Sequence, residues 1–293
     1  MKYEYYYAQR YNEKYHAKWV EYLERENIKY SFSEYNSAGR YATGPLIYFS
    51  IWSTNKNAEQ HMLALKELEM REPTRYAHYS KADYAKAPFL EMYPKYPRIE
   101  IRNSEEAFRY SCQWTNSVGE HVVRHEEQIG KIAIAKEPDI QKSTAFWRED
   151  TGGSITFASK PVVDLVTEHK LVGISFRPVQ VRRGNDSEKI FQMTSPNIIT
   201  QDCFVLDNAK VVDICRVCGK QQFYIDHADQ PHIDFSKVPM QSDLYMTEPI
   251  FGGGISQPLF IISQRFYQLL VDSKLSRNVV FTPVVDTSKQ PNL

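Results

Sequence analysis

Two hydrophobic periods alternate along residues 1–82 and predict six elements in a row. Lys2–Ala8 is Tyr-rich and reads as a strand. Asn12–Glu26 places Tyr15, Trp19, Tyr22 and Leu23 on one side of a helix. Tyr30–Tyr35 alternates aromatic with polar residues, as a half-buried strand does, and Pro45–Trp52 contains an unbroken apolar run suited to a buried strand. Asn57–Met70 returns to helical spacing, with Met62, Leu63, Leu65, Leu68 and Met70 mostly on one side, until Glu72-Pro73 stops it. Arg75–Tyr79 supplies a last strand. The order β-α-β-β-α-β is that of a ferredoxin-like fold, which hosts many functions and specifies none.

Pro88, Pro94 and Pro97 punctuate a junction, and beyond it one pattern occurs twice. Ser159 stands at a helix start, with Val162, Val163, Leu165 and Val166 on the inner face. Lys170-Leu171 and Gly173 close that helix, and Ile174–Val179 follows as a strand. In the second copy Ser263 takes the cap position and Phe266, Leu269, Leu270 and Val271 form the face. Lys274-Leu275 is the exit and Val279–Val284 the strand. Positions 157–171 align with 261–275 without a gap, and one inserted residue restores a shared Phe-x-Pro-Val ending. Upstream, the block starting at Ile132 matches the block starting at Ile233, and each copy has a glycine turn, Gly152-Gly153 or Gly252-Gly253-Gly254. Such a period implies duplication of a domain-sized piece, not a solenoid. The expected architecture is α+β: a ferredoxin-like domain over 1–82, a first α/β repeat unit over 83–190, and a second over 191–293.

Composition narrows the function classes. With 42% hydrophobic and 25% charged residues the chain is a folded, soluble protein. Lys+Arg and Asp+Glu both number 36, so the basic surplus of a typical nucleic-acid binder is missing. Met1-Lys2-Tyr3-Glu4-Tyr5 opens no signal peptide, and no apolar run reaches bilayer length. Four cysteines are too few to staple a chain of 293 residues, which suits a reducing, cytoplasmic setting. The 20 tyrosines suit cores and protein interfaces alike.

Cys215-Arg216-Val217-Cys218-Gly219 is the most distinctive short motif. Two thiolates three residues apart on a tight turn can grip one zinc ion, and the glycine lets the backbone bend around it. A tetrahedral site needs two further ligands, for which His227 and His232 lie downstream and Cys203 upstream. The plainer reading is a knuckle hairpin that has lost its metal and keeps small thiols in a turn. A thioredoxin-type role fits less well, because the motif is not expected to follow a strand and open a helix. The first copy has no CxxC and offers Cys112, with His121 and His125 at a helical spacing. Val122 stands where HExxH needs its Glu, so these histidines read as an exposed helical face. Neither glycine run is followed by Lys-Ser/Thr, no nucleophile elbow is present, and paired carboxylates such as Glu105-Glu106 have solvated-face spacing. No enzyme is expected.

Tyr79–Met92, the Cys215-x-x-Cys218-Gly219 knuckle, the Pro249-Ile250-Phe251-Gly252 turn and the capped helix with its Pro-Val strand follow one another in a recognisable order. In this the chain resembles, over residues 79–293, the double-CXXCG motif proteins of bacteria. That is a divergent family of immunity proteins encoded beside secreted polymorphic toxins. The resemblance implies a cytoplasmic protein that binds and neutralises a cognate toxin. The chain departs from the family pattern in keeping one CXXCG, the first copy having only Cys112-Gln113-Trp114-Thr115. Two alternatives stay open: a zinc-knuckle module contacting nucleic acid or another protein, and an enzyme of unrecognised class.

Overall fold

A computed structural model describes the chain except residues 11, 13, 36–40, 96–97, 116–121, 139–143, 150–154, 182–183, 227–228, 239–240, 253–256 and 290–293. The protein is a sheet-rich α+β structure with several sheets, divided into two compact units. Residues 1–83 with 226–229 form the first unit, and 84–225 with 230–293 form the second.

The first unit runs β1 (Lys2–Arg10), α1 (His16–Arg25), β2 (Tyr30–Tyr35), β3 (Tyr41–Trp52), α2 (Ala58–Glu67) and β4 (Thr74–His78). Its sheet has the order β2-β3-β1-β4 with every neighbour antiparallel. The helical spacing does its work in α1, where Trp19, Tyr22 and Leu23 are buried against Ile47, Phe49 and Leu65. Trp19 and Tyr22 keep their polar ends satisfied: the indole N–H donates to the Leu68 carbonyl and the phenol meets His61 Nδ1. The inner face of α2 differs from the expected one. It consists of Ala58, His61 and Leu65, and Leu63 is left in solvent, because a helix of 10 residues turned this way cannot bury both Leu63 and Leu65.

In the second unit, α3 (Lys81–Lys86), which starts within the first, leads into β5 (Phe89–Pro94), β6 (Arg98–Ile99), α4 (Ser104–Ala107), β7 (Phe108–Thr115) and β8 (Val122–Gln128). Then come β9 (Phe146–Glu149), β10 (Thr156–Ser159), α5 (Lys160–Glu168), β11 (Ser175–Gln180), β12 (Asp186–Thr194) and β13 (Ile198–Ile199). The chain ends with β14 (Ala209–Ile214), β15 (Gln221–Ile225), β16 (His232–Ile233), β17 (Leu244–Phe251), β18 (Gln257–Ser263), α6 (Gln264–Asp272), β19 (Val279–Pro283) and β20 (Val285–Asp286).

Two sheets dominate, β11-β12-β10-β9-β6 and β14-β15-β17-β18-β5-β19, the latter with β13 beside β17. Their registers run side by side. Phe260 and Ser263 face Met92 and Phe89 on β5, as Thr156 and Ser159 face Met193 and Ile190 on β12. Phe281 and Pro283 face Met92 and Leu90, as Phe176 and Pro178 face Met193 and Phe191. The parallel pair Ile198–Met246 has its counterpart in Arg98–Arg148. Isolated bridges join Ile101 to Ile134 and Phe204 to Ile233, so the ladder sets Ile134, two residues beyond Ile132, against Ile233. The inner faces of both helices share one core: Val162, Leu165 and Val166 with Phe266 and Leu270, against Leu90, Met92 and Met193.

The two helix starts differ. The Ser263 hydroxyl accepts from the Phe266 N–H at 3.1 Å, whereas Ser159 makes no cap bond and its buried Oγ has no hydrogen-bond partner. Val271, expected on the inner face of α6, is exposed, because Phe266 and Leu270 already fill the side that meets the core. The exits agree across α1, α2, α5 and α6. Asn27, Glu69, Lys170 and Lys274 adopt φ of 54°, 57°, 49° and 59°. The next N–H then bonds five residues back: Ile28 to Leu23, Met70 to Leu65, Leu171 to Val166 and Leu275 to Leu270. This is a Schellman exit with an apolar residue behind it, built without glycine.

Candidate metal centre

Strands β7 and β8 pair antiparallel as a two-stranded hairpin, with Cys112 opposite His125 in the backbone ladder just past a bulge between Tyr110 and Cys112. Residues 209–225 form a second hairpin, β14–β15, closed by the knuckle. The Cys215 N–H donates to the Lys220 carbonyl at 2.8 Å and the Gly219 N–H to the Cys215 carbonyl at 2.9 Å. Gly219 takes φ +74°, a left-handed conformation that costs a residue with a Cβ about 1 kcal/mol or more. The motif does follow a strand, against expectation, yet it returns as a hairpin and opens no helix.

The structure brings Cys112, Cys215 and Cys218 together, with all three sulfurs within 4.8 Å of one another. Sulfurs around one zinc ion lie roughly 3.8 Å apart, so adjustments of about 1 Å would close the three onto an ion. Cys112 and Cys215 are 7% and 1% exposed and pack with Ile250, while Cys218 is open to solvent. Burial works against ionising Cys215, but the N–H groups of Cys218 and Val217 and the thiols of Cys218 and Cys112 donate to its sulfur. The donors win and hold the thiol below its ordinary value. N–H groups aimed at a sulfur suit a thiolate, which is the form that binds metal.

His227 and His232 are the histidines expected beside the CxxC. His227 lies outside the described residues. His232 sits on β16, its Nδ1 3.5 Å from the Asp207 carboxylate, and is not part of the thiol cluster. Cys203 is buried in a separate core with Phe204 and Phe223. His121 also falls outside the described residues, and His125 stands in strand β8, not on a helix. Bulge and ladder contacts with β7 decide that, since β-branched Val122 and Val123 favour strand. The thiol of the cluster that spacing could not nominate is Cys112. Its signal is indirect: β7–β8 precedes β9, β10 and α5 in the chain as the knuckle hairpin β14–β15 precedes β17, β18 and α6.

A second polar site lies in the same unit, where Glu91, Tyr93, Arg148, Thr156 and Gln257 line a crevice with Phe260. Burial alone pushes the Glu91 carboxyl up to about 7. The buried Arg148 guanidinium lies over the Tyr93 ring, 4.3 Å from its centre, and donates to the Tyr93 hydroxyl. Among the described residues no helix is long and apolar enough to cross a membrane. No family model matches the chain, and no curated protein matches it either.

Proposed function

We propose that the protein is a metal-stapled binding protein, and that its role is to capture and neutralise a cognate bacterial toxin in the cytoplasm. The observation that carries the metal part is the meeting of Cys112 with Cys215 and Cys218. A zinc ion held by these sulfurs would tie hairpin β7–β8 to hairpin β14–β15, with the N–H groups directed at Cys215 supporting the thiolate such a tie needs. The binding part is supported by the apolar side chains that the knuckle hairpin leaves in solvent, Val211, Val212, Ile214 and Val217. The toxin as partner rests on the resemblance over residues 79–293.

The architecture in this reading is a ferredoxin-like domain followed by a duplicated pair. The order β2-β3-β1-β4 supports the first part. The matched registers support the second, with a refinement: the copies begin at β5 and β12, and each places its first strand in the other's sheet. Such exchange between copies is domain swapping within one chain.

Co-expression with toxin domains encoded beside the gene tests the role. Rescue of growth and a co-purifying complex are expected, weakened by Val217→Asp on the knuckle; absence of rescue and of complex with every neighbouring toxin would sink it. Elemental analysis of the reduced protein tests the metal, with about one zinc per chain expected. A folded sample without metal that takes up none on addition of zinc removes the staple.

A further inference from the structure

Three thiols this close are also the reactants of a disulfide. We propose that the knuckle is a reversible oxidation site, at which a hydroperoxide joins Cys215 to Cys218 while Cys112 stays reduced. Cys218 is exposed and is the sulfur a dissolved oxidant meets first. Cys215 lies behind it in the same turn, its sulfur within 4.8 Å, and the Cys218 N–H already points at that sulfur. Cys112 is buried and belongs to the other hairpin, whereas Cys203 lies in a different core.

The Cys218 sulfur, as thiolate, attacks one oxygen of the hydroperoxide. An S–O bond forms, the O–O bond breaks, and the other oxygen leaves as an alcohol, or as water from hydrogen peroxide, with the thiol proton. The Cys215 thiolate then attacks the sulfenic sulfur of Cys218. The S–S bond forms, the S–O bond breaks, and hydroxide leaves and takes the Cys215 proton as water. Two thiols and one hydroperoxide thus give one disulfide, one alcohol and one water. The disulfide does not depend on the metal reading. If an ion is held, oxidation removes two of its three sulfurs and the tie between the hairpins is cut; that consequence does rest on the metal reading.

The full chain, reduced and freed of metal with a chelator, is treated with hydrogen peroxide, blocked with N-ethylmaleimide and cut with trypsin without reduction. Arg109, Arg124, Lys210, Arg216 and Lys220 place the three cysteines in fragments 110–124, 211–216 and 217–220. The expected result is a link between 211–216 and 217–220, a fall in titratable thiols from four to two, and reversal by dithiothreitol. Cys218→Ser abolishes the link and Cys112→Ser keeps it. A link from 211–216 to 110–124, or a Cys218 that goes to sulfinic acid unlinked, overturns the proposal. Zinc content of the untreated protein is measured separately. Zinc-free protein that forms the link refutes only the staple, and zinc-loaded protein that never forms it refutes only the switch.

Discussion

The Ser263 hydroxyl donates to the buried Asp243 carboxylate at 2.6 Å, and the other oxygen of that carboxylate accepts the Val172 N–H at 2.9 Å. One side chain thereby joins the start of α6 to the exit of α5. Asp243 also closes backbone bonds with both neighbours, its N–H donating to the Val172 carbonyl and its carbonyl accepting from the Ser263 N–H. A buried carboxylate is tolerated because such donors surround it, with Arg265 3.9 Å away.

Two serines in matching places should therefore respond differently to truncation. Ser263→Ala removes a cap bond and a donor to a buried charge, and should cost about 2 kcal/mol. Ser159→Ala removes a hydroxyl with no partner, and should fall within about 0.5 kcal/mol of neutral. Urea unfolding of the two variants checks the contrast, and equal losses would contradict it.

Removing one thiol should weaken zinc binding at the proposed centre more than any neighbouring change. Cys112→Ala is expected to lower zinc affinity by more than about 100-fold, since loss of a supporting contact alone costs about 10- to 100-fold. His232→Ala should leave affinity unchanged, because that ring stands beside Asp207. Competition against a chromogenic chelator distinguishes the two.

Glu91 predicts a pH dependence with a definite sign. Its folded-state pKa of about 7 lies above the ordinary 4.5, so the folded protein holds a proton that the unfolded chain has lost. Stability contributed by this group is present below about 4.5 and is lost as pH rises through about 7. Gln192 on β12 holds the matching ladder position, between Phe157 and Arg177 as Glu91 stands between Ile261 and Thr282. Glu91→Gln should accordingly raise the melting temperature at pH 8 and leave it nearly unchanged at pH 4.5. A rise of equal size at both would remove the ionisation argument.

The helix exits offer a gain. Glu69 holds φ 57° without being glycine. Glu69→Gly should stabilise the first unit by about 0.5–1 kcal/mol, the relief of left-handed strain exceeding the added freedom of the unfolded chain. An unchanged or lower denaturation midpoint would count against it.

Local order was legible in the sequence wherever one residue pattern decides it. The Tyr30–Tyr35 strand has the boundaries that its alternation gave, and Trp19, Tyr22, Leu23, Val162 and Phe266 are buried as their spacing required. Errors fell where packing chooses among equals. Leu63 and Val271 have the right chemistry for a core and face water, because Leu65 on the opposite side of α2, and Phe266 with Leu270 on α6, take the side that meets the core. The thiol cluster was half visible. Cys215 and Cys218 lie close enough together in the chain to declare a knuckle, but Cys112 reaches them only because two hairpins far apart in the chain bring their sulfurs together. His125 misled because two histidines four apart suggest a helix, while the valines between them belong to a strand.

The place of β5 has a consequence for how the chain matures. This strand is among the first of its unit to leave the ribosome, yet its ladder partners are β18 and β19, made up of residues 257–263 and 279–283. Leu90 and Met92 must therefore wait, unpaired, through the synthesis of about 170 residues, until Ile262 and Phe260 are made. The strands β1 to β4 are contiguous and can close their sheet early. Translation should thus yield a folded amino-terminal body trailing a carboxy-terminal one that is held open to chaperones and proteases until almost the last strand emerges.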